Sequence, residues 1–288
     1  MNEDRLIARL LKAADPPTEP RLQVGPGDDC AVAPGGLVLK TDCVIESVHY
    51  RPDTAPRRIG WKAAARVVSD FAAMGAQPQH ALITLAMERD RPDRWATTVY
   101  RGIGDCARAF GFTIAGGDTA TTPQGSWLSI AMTGKAPKRP LLRSGASSGD
   151  LVMVTGRLGG SLQKDRHLKF RPRLEEGRWL AERSDVTAMM DLSDGLAADL
   201  PRLARASECG YRIEPGLLPK NRGADDRTAM TDGEDYELLF TVRLDRERRL
   251  HAAWRRKFPL PLTTIGLLMP AGTAEGLTGS GYDHRAKL

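Results

Sequence analysis

Apolar residues in the first half of the chain keep two rhythms, and the switching between them predicts strands alternating with helices. Leu37-Val38-Leu39 is an apolar run that stops at Thr41-Asp42 and resumes from Cys43 to Val48. Ile59, Ala63, Val67 and Phe71 recur four residues apart, with Ala64 and Val68 beside them, which predicts a helix over 59–74. Strands are expected over 81–87, 112–115 and 126–133, and a helix over 95–110 that Gly111 would close as a C-cap.

The stretch 135–149 is rich in Pro, Arg, Gly and Ser and interrupts the pattern, as a domain boundary does. Beyond it, strands are expected over 151–156, 187–192 and 237–242. Pro201 would break a helix begun at Asp194. Asp199 is therefore expected to cap a second helical segment that carries Pro201 in its first turn. The order is mixed α and β throughout, with no fixed-period repeat.

At 288 residues the chain has the length for one large or two medium domains. Its composition is that of an ordinary globular protein. No run of about 18 apolar residues occurs, and the first twenty residues lack an apolar signal core. Neither a membrane span nor export is expected, and the expected location is the cytoplasm. Cys30, Cys43, Cys106 and Cys209 are far apart and fit neither a zinc site nor a disulfide framework. A net charge of +6 suits anionic ligands. Nucleic acid is not expected, because the arginines are scattered and aromatics for base stacking are scarce.

Five aspartate motifs change the picture most: Gly27-Asp28-Asp29, Thr41-Asp42, Ser69-Asp70, Gly116-Gly117-Asp118-Thr119 and Asp191-Leu192-Ser193-Asp194-Gly195. Any one of them is explained by the habit of Asp in turns and helix caps. Five together, with no competing ligand type, point to Mg²⁺, which takes hard oxygen donors and substrate phosphates. Two other patterns carry nothing. Gly145-Ala146-Ser147-Ser148-Gly149 mimics a nucleophile elbow but lacks the strand before it and the helix after it. Gly102-Ile103-Gly104 lies inside a helical pattern, and no P-loop occurs.

Together with His49 and with Gly233-Glu234-Asp235-Tyr236-Glu237-Leu238-Leu239-Phe240, these motifs, taken in order, resemble the thiamine-monophosphate kinase family. That family belongs to a superfamily with aminoimidazole ribonucleotide synthetase and selenophosphate synthetase, and the resemblance runs over about residues 25–282. It implies an α+β, two-domain fold. An N-terminal α/β domain over 1–137 would dimerise through a mixed sheet, and a C-terminal α+β domain over 138–288 would pack against it. ATP and several Mg²⁺ ions would sit in the groove between them.

Carried over by position, Asp28, Asp29, Thr41, Asp42, Asp70, Asp118, Asp191 and Asp194 would hold metal. Tyr100, Gly117, Asp118, Arg143 and Ser193 would contact ATP, and His49, Glu234 and Tyr282 would line a thiamine monophosphate pocket. The implied reaction is direct phosphoryl transfer to thiamine monophosphate, giving thiamine diphosphate. The acceptor is already anionic, so no acid–base residue is required and none is assigned; charge neutralisation and positioning would do the work.

The chain also departs from the family. Lys40 stands where a second Ser or Thr is usual, Val67 replaces an amide, and Asp232 replaces a Gly. The segment 156–173 is short, and Arg166, His167 and Lys169 are considered for phosphate contact without being assigned to it. Two alternatives stay open: another ATP-dependent kinase or synthetase of the superfamily, and a non-catalytic nucleotide-binding relative.

Overall fold

Two sheets share one long helix, and that sharing creates the site. The structure, a computed structural model, describes residues 3–15 and 21–282. After helix α1 (Glu3–Ala14) come strands β1 (Ala31–Ala33) and β2 (Leu37–Ile45), helix α2 (Pro56–Ala73), strand β3 (Gln77–Glu88), helix α3 (Asp93–Phe110), and strands β4 (Thr113–Thr122) and β5 (Trp127–Lys135). The strands form a mixed sheet in the order β1-β2-β5-β3-β4, with β3 and β4 parallel.

The remaining elements are β6 (Leu151–Thr155), α4 (Leu174–Ala181), β7 (Val186–Asp191), α5 (Leu196–Ala206), β8 (Cys209–Ile213), α6 (Asp226–Thr231), β9 (Leu238–Val242), α7 (Glu247–Lys257), β10 (Leu262–Pro270) and β11 (Ala274–Glu275). Their strands make a second sheet in the order β11-β8-β10-β6-β9-β7.

Side-chain alternation divides β2 between two faces. Val38 and Val44 are buried beneath α2, while Leu37, Leu39 and Ile45 are exposed on the other side. Helices α2 and α3 meet at two glycines. A Cβ on Gly60 would lie 1.9 Å from the Val99 carbonyl, and one on Gly102 1.9 Å from the Arg57 carbonyl. Gly102 thus serves helix packing. On its other side, α2 packs against α4 and β7. It is buried on nearly every face, which explains its run of alanines.

The helices expected over 59–74 and 95–110 are α2 and α3, and Gly111 closes α3 at φ 75°. β2 ends at Ile45, earlier than the expected Val48, because the chain turns there and Ser47 adopts φ 64°. Asp199 does not cap a second segment. Helix α5 starts at Leu196 and carries Pro201 inside it. The Asp199 side chain instead accepts a hydrogen bond from the Asp194 amide, fully buried, and so closes the preceding loop. Pro201 costs the helix one backbone bond. Among the described residues, no helix is long and apolar enough to cross a membrane.

Candidate active site

The floor of the site is a trio of buried carboxylates drawn from three elements. Asp29 follows a tight turn at Gly27 (φ 116°), Asp70 lies in the last turn of α2, and Asp191 ends β7. One ligand oxygen from each lies within 4.8 Å of the others. The Ser69 hydroxyl donates to Asp191 Oδ2 at 2.6 Å, joining the two halves of the chain at this point. Arg143, from the stretch between the sheets, donates to Asp29 Oδ1 through Nη2 at 2.5 Å. Its backbone N–H reaches Asp28 at 3.2 Å.

Crowded carboxylates far from water resist ionisation. Burial and the neighbouring Asp29 charge push Asp28 up to about 6, and the same two causes raise Asp191. Asp29 Oδ2 is buried and has no hydrogen-bond partner among the described residues. An unpartnered carboxylate oxygen beside two other carboxylates is a donor set that suits a hard divalent cation such as Mg²⁺.

Cations from the inner face of the first domain meet this floor. Lys40 Nζ lies 2.8 Å from Asp70 Oδ1. Burial opposes its charge, but Asp70 and Asp42 outweigh burial and hold the ammonium well above its ordinary value. Arg66 on α2 donates to Asp42 Oδ2 through Nε at 3.2 Å, while its Nη1 is buried without a hydrogen-bond partner. Asp194, in the turn before α5, pairs with Arg202 at 2.5 Å. Asp28, Lys40, Asp42, Asp70, Arg143, Asp191, Ser193, Asp194 and Tyr236 line a cleft of about 640 Å³, together with Ile7, Ala8 and Leu11 of α1.

A second, smaller pocket of about 60 Å³ opens beside the cleft and shares Arg66, Ser193, Asp194 and Tyr236 with it. His49, Glu234 and Tyr282 line this pocket together with Val48, Leu162 and Asp232. Glu234 and Tyr236 hold positive φ angles of 57° and 52°. For non-glycine residues this conformation costs about 1 kcal/mol or more each, and it is kept by surrounding contacts. The Tyr236 ring stacks on Phe170 with centroids 3.9 Å apart. Asp235, pushed up to about 7 by burial, accepts from the Gly159 amide and the Ser161 hydroxyl. Behind the pocket, the fully buried Lys62 of α2 donates to the His49 carbonyl at 2.6 Å and pairs with Glu234.

The structure therefore gathers Asp28, Asp29, Asp42, Asp70, Arg143, Asp191, Ser193 and Asp194 in one cleft, and His49, Glu234 and Tyr282 in the adjoining pocket. Four expected residues fall elsewhere. Thr41 is one step from Asp42 on a strand, so it points to the opposite face, 3.3 Å from Ser129 Oγ. Asp118 lies on the edge strand β4, in a row running through Thr84 and Ser129 to Cys43, which is again the outer face. Three strand spacings, about 14 Å, separate that strand from β2. Gly117 sits beside it, exposed, and approaches Ile83 so closely that a Cβ would lie 1.8 Å from that carbonyl. Tyr100 of α3 packs against the first core and is not among the residues lining the cleft.

Of the short segment's candidates, Arg166 bonds the Gly159 carbonyl and His167 the Ser161 carbonyl. Lys169 lines a separate depression. None of the three faces the cleft. Lys62 and Arg66 are the functional candidates that the sequence reading missed. They stand eight and four residues before Asp70 on one helix, a polar stripe inside an otherwise apolar and alanine-rich run.

Comparison with known proteins places this geometry. Residues 27–136 match the family described as AIR synthase related protein, N-terminal domain, and residues 143–266 match the corresponding C-terminal domain. Thiamine-monophosphate kinase of Rhodopirellula baltica is 37% identical over 269 residues, spanning 86% of this chain and 84% of that protein. The Escherichia coli K12 enzyme of the same name is 34% identical, over 92% and 93% of the two chains. Among solved structures, AaThiL complexed with AMPPCP and TMP superposes with a TM-score of 0.83 at 28% identity, covering 98% of this chain and 97% of that one. With both domains matched and relatives above 30% identity along most of its length, the chain belongs to the thiamine-monophosphate kinase family.

Proposed function

We propose that the protein phosphorylates thiamine monophosphate with ATP, yielding thiamine diphosphate and ADP in the cytoplasm. The observation that carries this reading is the meeting of two cavities at Arg66. One is a charged cleft sized for a nucleotide; the other is a small acidic and aromatic pocket. A polyphosphate chain suits the first, where Lys40, Arg66 and Arg143 oppose its charge. A cationic thiazolium suits the second, where Glu234, Asp194 and Asp232 supply negative charge and Tyr236 and Tyr282 supply ring faces.

Asp29, Asp70 and Asp191 would hold magnesium, with Asp28, Asp42 and Asp194 close by. Bound there, Mg²⁺ would neutralise phosphate charge and favour in-line transfer. The chain's own part is positioning. Arg66 sits at the junction of the cavities, where the transferred group would pass, its Nη1 without a hydrogen bond and 3.9 Å from Glu234 Oε1. Lys62 fixes Glu234 and the His49 loop. No proton need be removed from an anionic acceptor, so no general base is assigned.

We also place the domain divide at 137/138 and read the exposed outer face of the first sheet as a homodimer surface. Leu39, Leu82 and Ile114 are exposed there, and a shallow depression of about 560 Å³ is lined by Leu39, Leu82, Ala131 and Met132. Monomers rarely leave such apolar area uncovered. In that arrangement Thr41 and Asp118 are interface residues. Transfer is tested with γ-labelled ATP: the label is expected in thiamine diphosphate, with none on denatured protein. Label retained on the denatured chain contradicts direct transfer.

A further inference from the structure

We infer that Lys40 is a built-in cation of the transfer site, its ammonium occupying a position at Asp70 that a divalent ion would otherwise take. This rests on the kinase reading above. Strand alternation places Lys40 and Asp42 on the same inner face of β2, two residues apart and aimed at α2. Lys40 Nζ contacts Asp70 Oδ1 at 2.8 Å, and Asp70 belongs to the trio whose oxygens lie within 4.8 Å of one another. A Mg²⁺ ion binds a carboxylate oxygen at about 2.0–2.1 Å. On the side of Asp70 Oδ1 that Lys40 faces, ion and nitrogen would overlap, so the two exclude each other.

Charge counting supports the assignment. Asp28, Asp29, Asp42, Asp70 and Asp191 carry five negative charges when ionised. Lys40 on Asp70, Arg66 on Asp42 and Arg143 on Asp29 return three positive charges. The cluster is left with two net negative charges, the amount one divalent ion neutralises, and its unpartnered oxygen is on Asp29, not on Asp70. Removing Lys40 leaves three, more than one divalent ion neutralises, so the freed Asp70 carboxylate calls for a further cation. The serine and threonine hydroxyls nearby do not fill this role: Thr41 faces outward, and Ser69 is engaged with Asp191.

The prediction is a change in metal count. Mn²⁺ bound per chain is measured by electron paramagnetic resonance in the presence of saturating AMPPCP, for the wild type and for Lys40→Ser and Lys40→Arg. Lys40→Ser is expected to hold one more Mn²⁺ per chain than the wild type, and Lys40→Arg the wild-type number. Should Lys40→Ser not fold, Lys40→Met carries the same expectation, because it also frees the Asp70 carboxylate. An unchanged count in a folded Ser or Met variant overturns the inference, as does a gained ion in Lys40→Arg. Failure of the kinase reading would appear separately, as a wild type that counts metal but does not turn over thiamine monophosphate.

Discussion

Replacing Lys62 with Met separates a residue that positions the acceptor from one that only holds the fold. The Lys62 side chain is fully buried, and burial outweighs the attraction of Glu234, lowering its pKa to about 8 from the ordinary 10.5. Keeping it charged at neutral pH therefore costs about 3 kcal/mol, at about 1.4 kcal/mol per pH unit. The Met variant escapes that cost but strands the Glu234 carboxylate and the His49 carbonyl, for about 1–3 kcal/mol. The two effects oppose, so stability at pH 7 should change by no more than about 2 kcal/mol.

Function should change far more. A charge-assisted contact worth about 1.5–3 kcal/mol tethers Glu234 and His49, so its loss should raise KM for thiamine monophosphate by about 10–100-fold. KM for ATP should be nearly unchanged. The pH dependence follows from the sign of the shift. The folded pKa lies below the unfolded one, so the unfolded chain binds more protons between about pH 8 and 10.5, and the stability penalty present below pH 8 is relieved across that window. As pH rises through 8 the tether loses its charge, and the wild-type KM for the acceptor should climb while that of Lys62→Met stays flat. Steady-state ADP release at pH 7 and 9 reads both effects. An acceptor KM unchanged by the substitution would refute the reasoning.

Asp191→Asn should lower kcat by about 10²–10³-fold, the usual effect of removing one preorganised charge, and should weaken Mn²⁺ binding, which titration calorimetry reads directly. Asp28, raised to about 6 by burial and Asp29, protonates in the metal-free protein as pH falls through 6. Divalent-ion affinity should therefore fall below pH 6, with a proton released on binding that shows as a buffer-dependent heat; a heat independent of the buffer contradicts it. Arg66→Ala should reduce kcat about 100-fold with smaller changes in either KM, since Arg66 lines both cavities and not one alone. Leu82→Asp, at a side chain 53% exposed on the outer face, should convert a dimer to a monomer in light scattering; an unchanged mass places the interface elsewhere.

The carboxylate floor was legible because its parts are marked locally. Asp29 and Asp191 stand where an apolar run meets a Gly or Ser, and Asp70 follows Ser69 at the end of a clear helical pattern. The residues that fall outside the cleft do so for geometric reasons. Thr41 is adjacent to Asp42 in sequence, but a single step along a strand reverses the face. Asp118 has the right local chemistry, yet its distance from the cleft depends on sheet order, which is a nonlocal property. Lys62 and Arg66 were hidden because charged residues in a helix read as solvated, whereas α2 is enclosed by both sheets. Their spacing to Asp70 was the available signal. His49, Glu234 and Tyr282 come from distant parts of the chain and were assembled by resemblance, since no local pattern links them. Helix α1 was not anticipated, although Leu6, Ile7, Leu10 and Leu11 carry helical spacing.

Arg66 lines both the nucleotide cleft and the adjoining pocket proposed for thiamine monophosphate. ADP production with ATP and Mg²⁺ tests that proposal most directly, comparing thiamine monophosphate, thiamine and no acceptor. The account predicts turnover with the monophosphate alone and thiamine diphosphate as the product. Equal ADP release in all three, or release with unphosphorylated thiamine only, would contradict it.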